Sequence, residues 1–395
     1  MSGILQQKWM ADSRDEAFRN EHLDKQEPAE YLGPSGFIKF FGSPGRRTCG
    51  CFWPAANAKG VVLMVHGHGS YLIFEYLQRQ GVGNWKTYEG SWVQAFNQAG
   101  FSVAGLDNRG CGRSSGLLGY VEDHQLWVDD LLSFTRSLQD SSSSSSQLRA
   151  FAGLPTYLLG SSLGGNLAVH AALREPLRYA GLLLLAPMIS LEKLKRKGLN
   201  PILLKVAALL NWVIPTWPIV HTNKNNLFPD LQEDWDTNPV TYHYNTRVRM
   251  GVECNRMCDT VLREMHQLAC PLLVVHSIKD NMTDPDGSKM LVQAAASTDK
   301  TLHLVDNMWH VLTKEPGNQQ LLQQCIAWLT KRAATAAAPP PPGRNSAAGT
   351  AAAAAAGVAR AVSSSRGSSN NVSAGEAAGE AWEKVEREEA VGADA

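Results

Sequence analysis

A serine two residues from glycine on either side occurs at Gly160-Ser161-Ser162-Leu163-Gly164. A serine hydroxyl is a weak nucleophile at neutral pH. It needs a base beside it, and the base needs an acid to orient it. Both residue types follow later in the chain, Asp280 in His276-Ser277-Ile278-Lys279-Asp280 and His310 in Asp306-Asn307-Met308-Trp309-His310. The order serine, carboxylate, histidine is one in which acyl-transfer triads occur. The register selects Ser162, because Ser161 has Leu159 and Leu163 at the corresponding positions.

A tetrahedral intermediate also needs donors for its oxyanion. His66-Gly67-His68-Gly69 can supply one, the backbone N–H of His68, with glycines that let the chain come close. The residue after the nucleophile, Leu163, supplies the other. His66 itself reads as structural. Asp107-Asn108-Arg109-Gly110-Cys111-Gly112-Arg113-Ser114 reads as a tight loop bracing the site from behind. Competing residues are weaker. His303 sits within an apolar run, His170 lies two turns into a helix, and Asp284 and Asp286 share a loop with Asp280. Of the three aspartates Asp280 is closest to its strand end, and Asp286 reads as a helix N-cap. His124-x4-Asp129 has an acyltransferase-like spacing but starts an amphipathic stretch, away from any strand end.

Elements that could hold these residues are visible in the patterning. Short apolar runs at Val61–Val65, Phe101–Leu106, Tyr157–Leu159, Gly181–Leu185, Leu272–Val275 and Thr301–Val305 read as buried strands. Helical stretches separate them: Trp92–Gln98, Asp123–Leu138, Asn166–Leu173, Gly287–Ala296 and Gln319–Lys331. Uniformly apolar strands alternating with helices predict an α/β fold, a parallel sheet covered on both faces, with chemistry at the carboxyl ends of its strands. Gly160–Gly164 follows one such strand and opens a helix, the setting a nucleophile elbow requires.

More than eighty residues separate Gly181–Leu185 from Leu272–Val275, far more than a crossover needs. A cap is expected there, over 189–253. It opens on Lys193, Lys195, Arg196 and Lys197 and continues as an apolar helix over Ile202–Ile214, too short and too interrupted to span a bilayer. Two readings stand for it. In one the helix roofs the pocket, with Leu203, Leu210 and Trp212 against substrate. In the other it meets a membrane or lipid droplet, basic residues on headgroups and apolar ones in the acyl boundary. The remaining divisions are an N-terminal extension (1–36), core halves at 37–188 and 254–332, a flexible serine run at Ser141–Ser146, and a disordered Ala/Pro/Gly/Ser-rich tail at 333–395.

The bulk properties narrow the classes. Among 395 residues, Lys+Arg and Asp+Glu are equal at 37 each, so no general attraction for nucleic acid is expected. Seven scattered cysteines suggest free thiols, since neither Cys49-x-Cys51 nor Cys254-x3-Cys258 has zinc-site spacing. The polar N-terminal run lacks the apolar region of a secretory leader, which points to the cytoplasm, with peripheral membrane association through the cap. The chemistry calls for no metal or organic cofactor.

Together HGHG, DNRGCGRS, GSSLGG, the Asp280 loop and NMWHVL resemble the monoacylglycerol lipase and lysophospholipase branch of the α/β-hydrolases, the S33-like group. The resemblance covers about Phe37–Lys331 and implies a cap after the sixth strand, a triad at Ser162, Asp280 and His310, and oxyanion donors at His68 and Leu163. The branch usually has histidine where Ser161 stands, often methionine at Leu163, and in animals a cysteine at Thr283. The implied activity is hydrolysis of a single-acyl-chain lipid ester, monoacylglycerol foremost, through an acyl-enzyme. The alternatives are a lysophospholipase, an acyltransferase, or a hydrolase-fold lipid receptor without catalysis.

Overall fold

The computed structural model describes residues 2–26, 29–43, 45–143, 145–196 and 200–337. Its centre is an eight-stranded sheet: β1 (Phe37–Phe41), β2 (Thr48–Trp53), β3 (Val61–Val65), β4 (Ser102–Leu106), β5 (Thr156–Ser161), β6 (Gly181–Leu185), β7 (Leu272–Ser277) and β8 (Lys300–Val305). The spatial order is β1-β2-β4-β3-β5-β6-β7-β8. From β4 onward every pairing is parallel, while β1–β2 and β2–β4 are antiparallel. The patterning foresaw six of these strands. It missed β1 and β2, whose Cys-, Gly- and Phe-rich sequences form the antiparallel edge.

Strand β3 shows why the sheet is central. Val61, Leu63 and Val65 enter one apolar cluster, and Val62 and Met64 enter the other. Each face is therefore sealed by helices. Burying each such side chain contributes about 1.5–3 kcal/mol. The predicted helices lie at Trp92–Gln98, Gln125–Gln139, Leu163–Arg174, Pro285–Ala294 and Asn318–Ala337.

Several boundaries differ from expectation. The last helix runs to Ala337 and buries Ala333 against the sheet, so the tail does not begin at Ala333; residues from 338 onward lie outside the described residues. The serine run is partly ordered: Ser145 N-caps the helix Ser146–Arg149, which anchors the buried Leu148. The N-terminal extension forms two helices, α1 (Ser2–Asp12) and α2 (Glu16–Gln26), seated on the body. Arg19 of α2 is fully buried and donates to the carbonyls of Gly112 (2.9 Å), Ser114 (2.6 Å) and Gly116 (3.2 Å). Asp12 of α1 pairs with the buried Arg247 at 2.8 Å.

The segment after β6, where a cap was expected, folds as helices Glu192–Lys195, Asn200–Lys205, Ala207–Val213 and Pro229–Thr237, with a two-stranded ribbon of Pro218–Val220 and Thr246–Arg247. The single helix expected over Ile202–Ile214 is instead two, because Val206 leaves helical geometry at φ −113°, ψ 10°. The helix Val248–Glu264 crosses the expected boundary between 253 and 254 without a break. Met250, Cys254, Met257 and Val261 bind it to the body core.

Candidate active site

The turn from β5 into Leu163–Arg174 holds Ser162 at φ 53°, ψ −117°, a left-handed conformation costly for a residue with a Cβ. The glycines around it are sterically required. A Cβ on Gly160 would lie 2.3 Å from the Gly164 carbonyl oxygen, and one on Gly164 would lie 2.1 Å from that of Val65.

The loop after β8 brings His310 over this turn. Ser162 Oγ donates to His310 Nε2 at 3.0 Å, and His310 Nδ1 donates to Asp280 Oδ2 at 2.7 Å. Asp280 stands three residues past β7 and is 4% exposed. The amides of Met282 (2.8 Å) and Thr283 (3.1 Å) hold its Oδ1. Burial alone would raise its pKa. The neighbouring His310, by charge and hydrogen bond, and His276 outweigh that and hold the carboxyl well below its usual range. Burial likewise opposes protonation of His310, yet Asp280 raises its pKa overall.

Several supporting residues had no role assigned from sequence. His276 donates from Nε2 to Asp280 Oδ2 (3.2 Å) and accepts from Ser288 Oγ at Nδ1 (2.7 Å). Thr283 donates to Asp280 Oδ2 at 3.0 Å. Fully buried Glu315 accepts from the amides of Trp309 (2.5 Å), His310 (3.0 Å) and Val311 (2.8 Å), fixing the histidine loop. Glu75 accepts from the Gly67 amide at 3.0 Å. The only signal for Glu315 in the sequence was an acid five residues past a histidine, which many loops contain.

Leu163 is the first residue of its helix, so its N–H has no partner within the helix. His68 lies in a turn closed by Ser70 N to Gly67 O and borders the same cavity as Ser162. His66 bridges loops, as expected of a structural residue, and the 107–114 loop braces the site: Asp107 accepts from Leu72 N (2.9 Å) and Arg113 N (3.0 Å).

The rejected candidates are occupied elsewhere. His170 lies near Met257 O. His124 pairs with Glu253 at 2.7 Å, and Asp129 pairs with Arg174 at 2.7 Å. Asp284, not Asp286, caps Pro285–Ala294 by accepting from Asp286 N.

Two arms of one cavity meet at Ser162 and His68. The apolar arm, about 370 Å³, is walled by Met188, Leu191, Ala207, Leu210, Ile219 and Val248. The second arm, about 260 Å³, runs between the segment after β6 and α1 past Ser161, Glu75 and Lys314, with Phe74, Trp235 and Trp309 also in its wall. Leu210 thus lies where a substrate-contacting cap residue was expected. Trp212 does not: it is 82% exposed, two residues from Leu210 and so on the opposite face of Ala207–Val213. Leu203 sits on Asn200–Lys205, but its side chain is outside the described residues. Lys193 pairs with Asp284 and Lys195 with Glu192, both at 2.8 Å, while Lys197 is outside the described residues.

The family model described as "Serine aminopeptidase, S33" matches residues 56–317. The chain belongs to this family of α/β-hydrolases. This S33 hydrolase is 25% identical over 288 residues to a "Monoglyceride lipase" of Rattus norvegicus, covering 72% of the chain and 86% of the relative. It is 26% identical over 293 residues to a "Monoacylglycerol lipase" of Mycolicibacterium smegmatis, covering 73% and 95%. Its fold matches a solved soluble variant of monoglyceride lipase from Saccharomyces cerevisiae with a TM-score of 0.61 at 20% identity, over 77% of this chain and 97% of that one. The S33 hydrolase is therefore an enzyme, a serine hydrolase of the lipase and esterase type. Among its described residues no helix is long and apolar enough to cross a membrane.

Proposed function

We propose that the chain hydrolyses esters of single-acyl-chain lipids, with monoacylglycerol as the reference substrate. The hydrogen-bonded series Ser162–His310–Asp280, opening onto an apolar arm, carries this reading. The acyl chain lies in that arm. Ser162 attacks the ester carbonyl while His310 takes its proton, and the oxyanion forms against the amides of His68 and Leu163. His310 then protonates the departing alcohol. Water, activated by the same imidazole, frees the fatty acid. Asp280 keeps Nδ1 protonated and stabilises the imidazolium. The names of the relatives support a lipid ester as substrate. The test is fatty-acid release from a lauroyl monoglyceride. The intact chain should turn it over, and Ser162→Ala should fall to background. Undiminished release by the variant would refute the assignment.

The cap also supports contact with a lipid surface. Ile202 (62%), Leu209 (59%), Trp212 (82%) and Val213 (57%) are exposed on its two helices, while Ala207 and Leu210 face the acyl arm. These exposed apolar side chains would insert into the lipid. Trp212→Ser together with Leu209→Ser should abolish co-sedimentation with zwitterionic vesicles. Retained binding in that variant would contradict it.

A further inference from the structure

The last strand of the sheet is open on one side. Strand β8 pairs with β7 and, among the described residues, with no strand on its outer side. The carbonyls of Asp299, just before it, and of Val305 accept from Leu272 N and Ile278 N, both at 2.9 Å. The odd-numbered residues therefore direct their backbone groups to β7, and those of Lys300, Leu302 and Leu304 point away from it. The strand is only half-buried, and Leu304 is exposed. So are Ile278, at the end of β7, and Met290, on the helix Pro285–Ala294 that packs on both strands. The opposite edge is protected differently. β1 carries Lys39 at its centre, and a charge in mid-strand opposes the addition of another strand. β8 keeps its charges to its ends: Lys300 begins it and Asp306 follows it. The described hydrogen bonds of Lys300 go to the carbonyls of Gln293 (3.3 Å) and Ala295 (2.6 Å), not to an acid.

Such an edge complements itself in one register. Backbone groups that point outward must meet others that do, so even-numbered residues oppose even-numbered ones. Parallel pairing would put Lys300 beside its own copy. Antiparallel pairing about a two-fold axis at Leu302 would set Lys300 against Leu304, and an axis at Leu304 would set Leu302 against Asp306. An axis at His303 sets Lys300 against Asp306 at both ends and Leu302 against Leu304 between them. Each Leu302–Leu304 pair then exchanges two N–H···O bonds. The competing occupant is the chain's own C-terminal segment, because Arg332 pairs with Asp299 and so starts that segment near β8. Past Ala337 its residues are mostly Ala, Pro, Gly and Ser, poor strand formers, and include Pro339–Pro342. The observations therefore favour a second copy.

We propose that the chain is a homodimer in which β8 pairs antiparallel with β8 of a second copy about a two-fold axis at His303. The two sheets join into one. The axis is normal to the sheet, so Met290 and Leu304 of both protomers lie on the same face. The strand ends that carry the triad point in opposite directions, and neither cavity covers the other.

The test is sedimentation equilibrium of the full chain at micromolar concentration, with amide exchange and activity on a soluble ester measured alongside. The mass should be twice 43.0 kDa, and exchange at Leu302 and Leu304 should slow as concentration rises. Lys300→Asp and Asp306→Lys should each raise the dimer dissociation constant at least about tenfold, because the axis repeats the like-charge contact at both ends. The double variant restores opposite charges and should restore the dimer. Leu304→Pro removes an outward N–H and none that β7 uses, so it should give a monomer with activity unchanged. A monomeric unaltered chain at every concentration would overturn the proposal. So would a dimer indifferent to Leu304→Pro and to the charge changes, which would lie on another face. Exchange at Leu302 and Leu304 that stays slow at every dilution would give the edge to the C-terminal segment and overturn the second copy. Should Leu304→Pro lose activity through misfolding, the charge pair decides: a double variant no better than the single ones would overturn the register.

Discussion

His66 Nε2 accepts the backbone N–H of Asn108 at 2.9 Å, which places the ring proton on Nδ1, where it is donated to the Gly67 carbonyl at 2.8 Å. One fully buried imidazole thus ties the loop that presents His68 to the loop behind it. His66→Ala removes that tie and strands a buried amide. kcat should fall about 10- to 100-fold, less than the roughly 100- to 1000-fold cost of removing an oxyanion donor outright, with KM changed less than about threefold. Steady-state kinetics on a soluble ester checks this. A KM effect with kcat intact would place His66 in substrate binding instead.

The pH dependence follows from the His310–Asp280 pair. The carboxylate stabilises the imidazolium and so raises the pKa of His310 above 6.5. The base must be neutral to act. kcat/KM should therefore rise with pH through an inflection above that value and then level. Asp280→Asn removes the raising charge: the inflection should move to lower pH and kcat should fall roughly 10⁴-fold. The stability linkage of Asp280 has the same sense but lies at lower pH. The carboxyl of Asp280 has a folded-state pKa below its unfolded value of 3.8. Its stabilising contribution is complete above that value and is lost as pH falls toward the folded-state pKa.

Glu315 gathers three consecutive amides of the histidine loop. Glu315→Gln leaves one acceptor oxygen for three donors. It should cost about 2 kcal/mol in chemical denaturation and lower kcat by positioning His310 less well. An unchanged denaturation midpoint and unchanged kcat would remove Glu315 from the account.

That Ser162, Asp280 and His310 would be neighbours was legible because each follows a strand of one parallel sheet, although the last of these, Lys300–Val305, is only half-buried rather than buried as its apolar pattern suggested. The supporting residues were not, since Glu315, His276 and Thr283 act through backbone geometry that their sequence neighbours do not reveal. Trp212 was misplaced because it was grouped with Leu210 by its apolar character, although two residues of spacing put it on the opposite face of a helix. The role of α1 and α2 was hidden for another reason. Their attachment is polar, through Arg19 on loop carbonyls and Asp12 on Arg247, and leaves no apolar pattern to read.

All seven cysteines are buried and none forms a disulfide. Burial raises the thiol pKa values of Cys49, Cys111, Cys254, Cys258, Cys270 and Cys325, to about 12 for Cys111, Cys254 and Cys325 and about 11 for Cys270. Thiolate fractions at neutral pH are therefore minute. The native enzyme should resist aromatic disulfide reagents and keep its activity in them, and all seven thiols should react after unfolding. Rapid loss of native activity would show that Cys254, which lines the apolar arm, is within reach of the reagent despite its burial.

The central claim is that Ser162 is the nucleophile. Its most direct test is intact-mass measurement of the full-length chain after exposure to a fluorophosphonate. One adduct should form and map to Ser162, and Ser162→Ala should remain unlabelled while Ser161→Ala still labels. An adduct persisting in Ser162→Ala, or mapping to Ser161, would contradict the account.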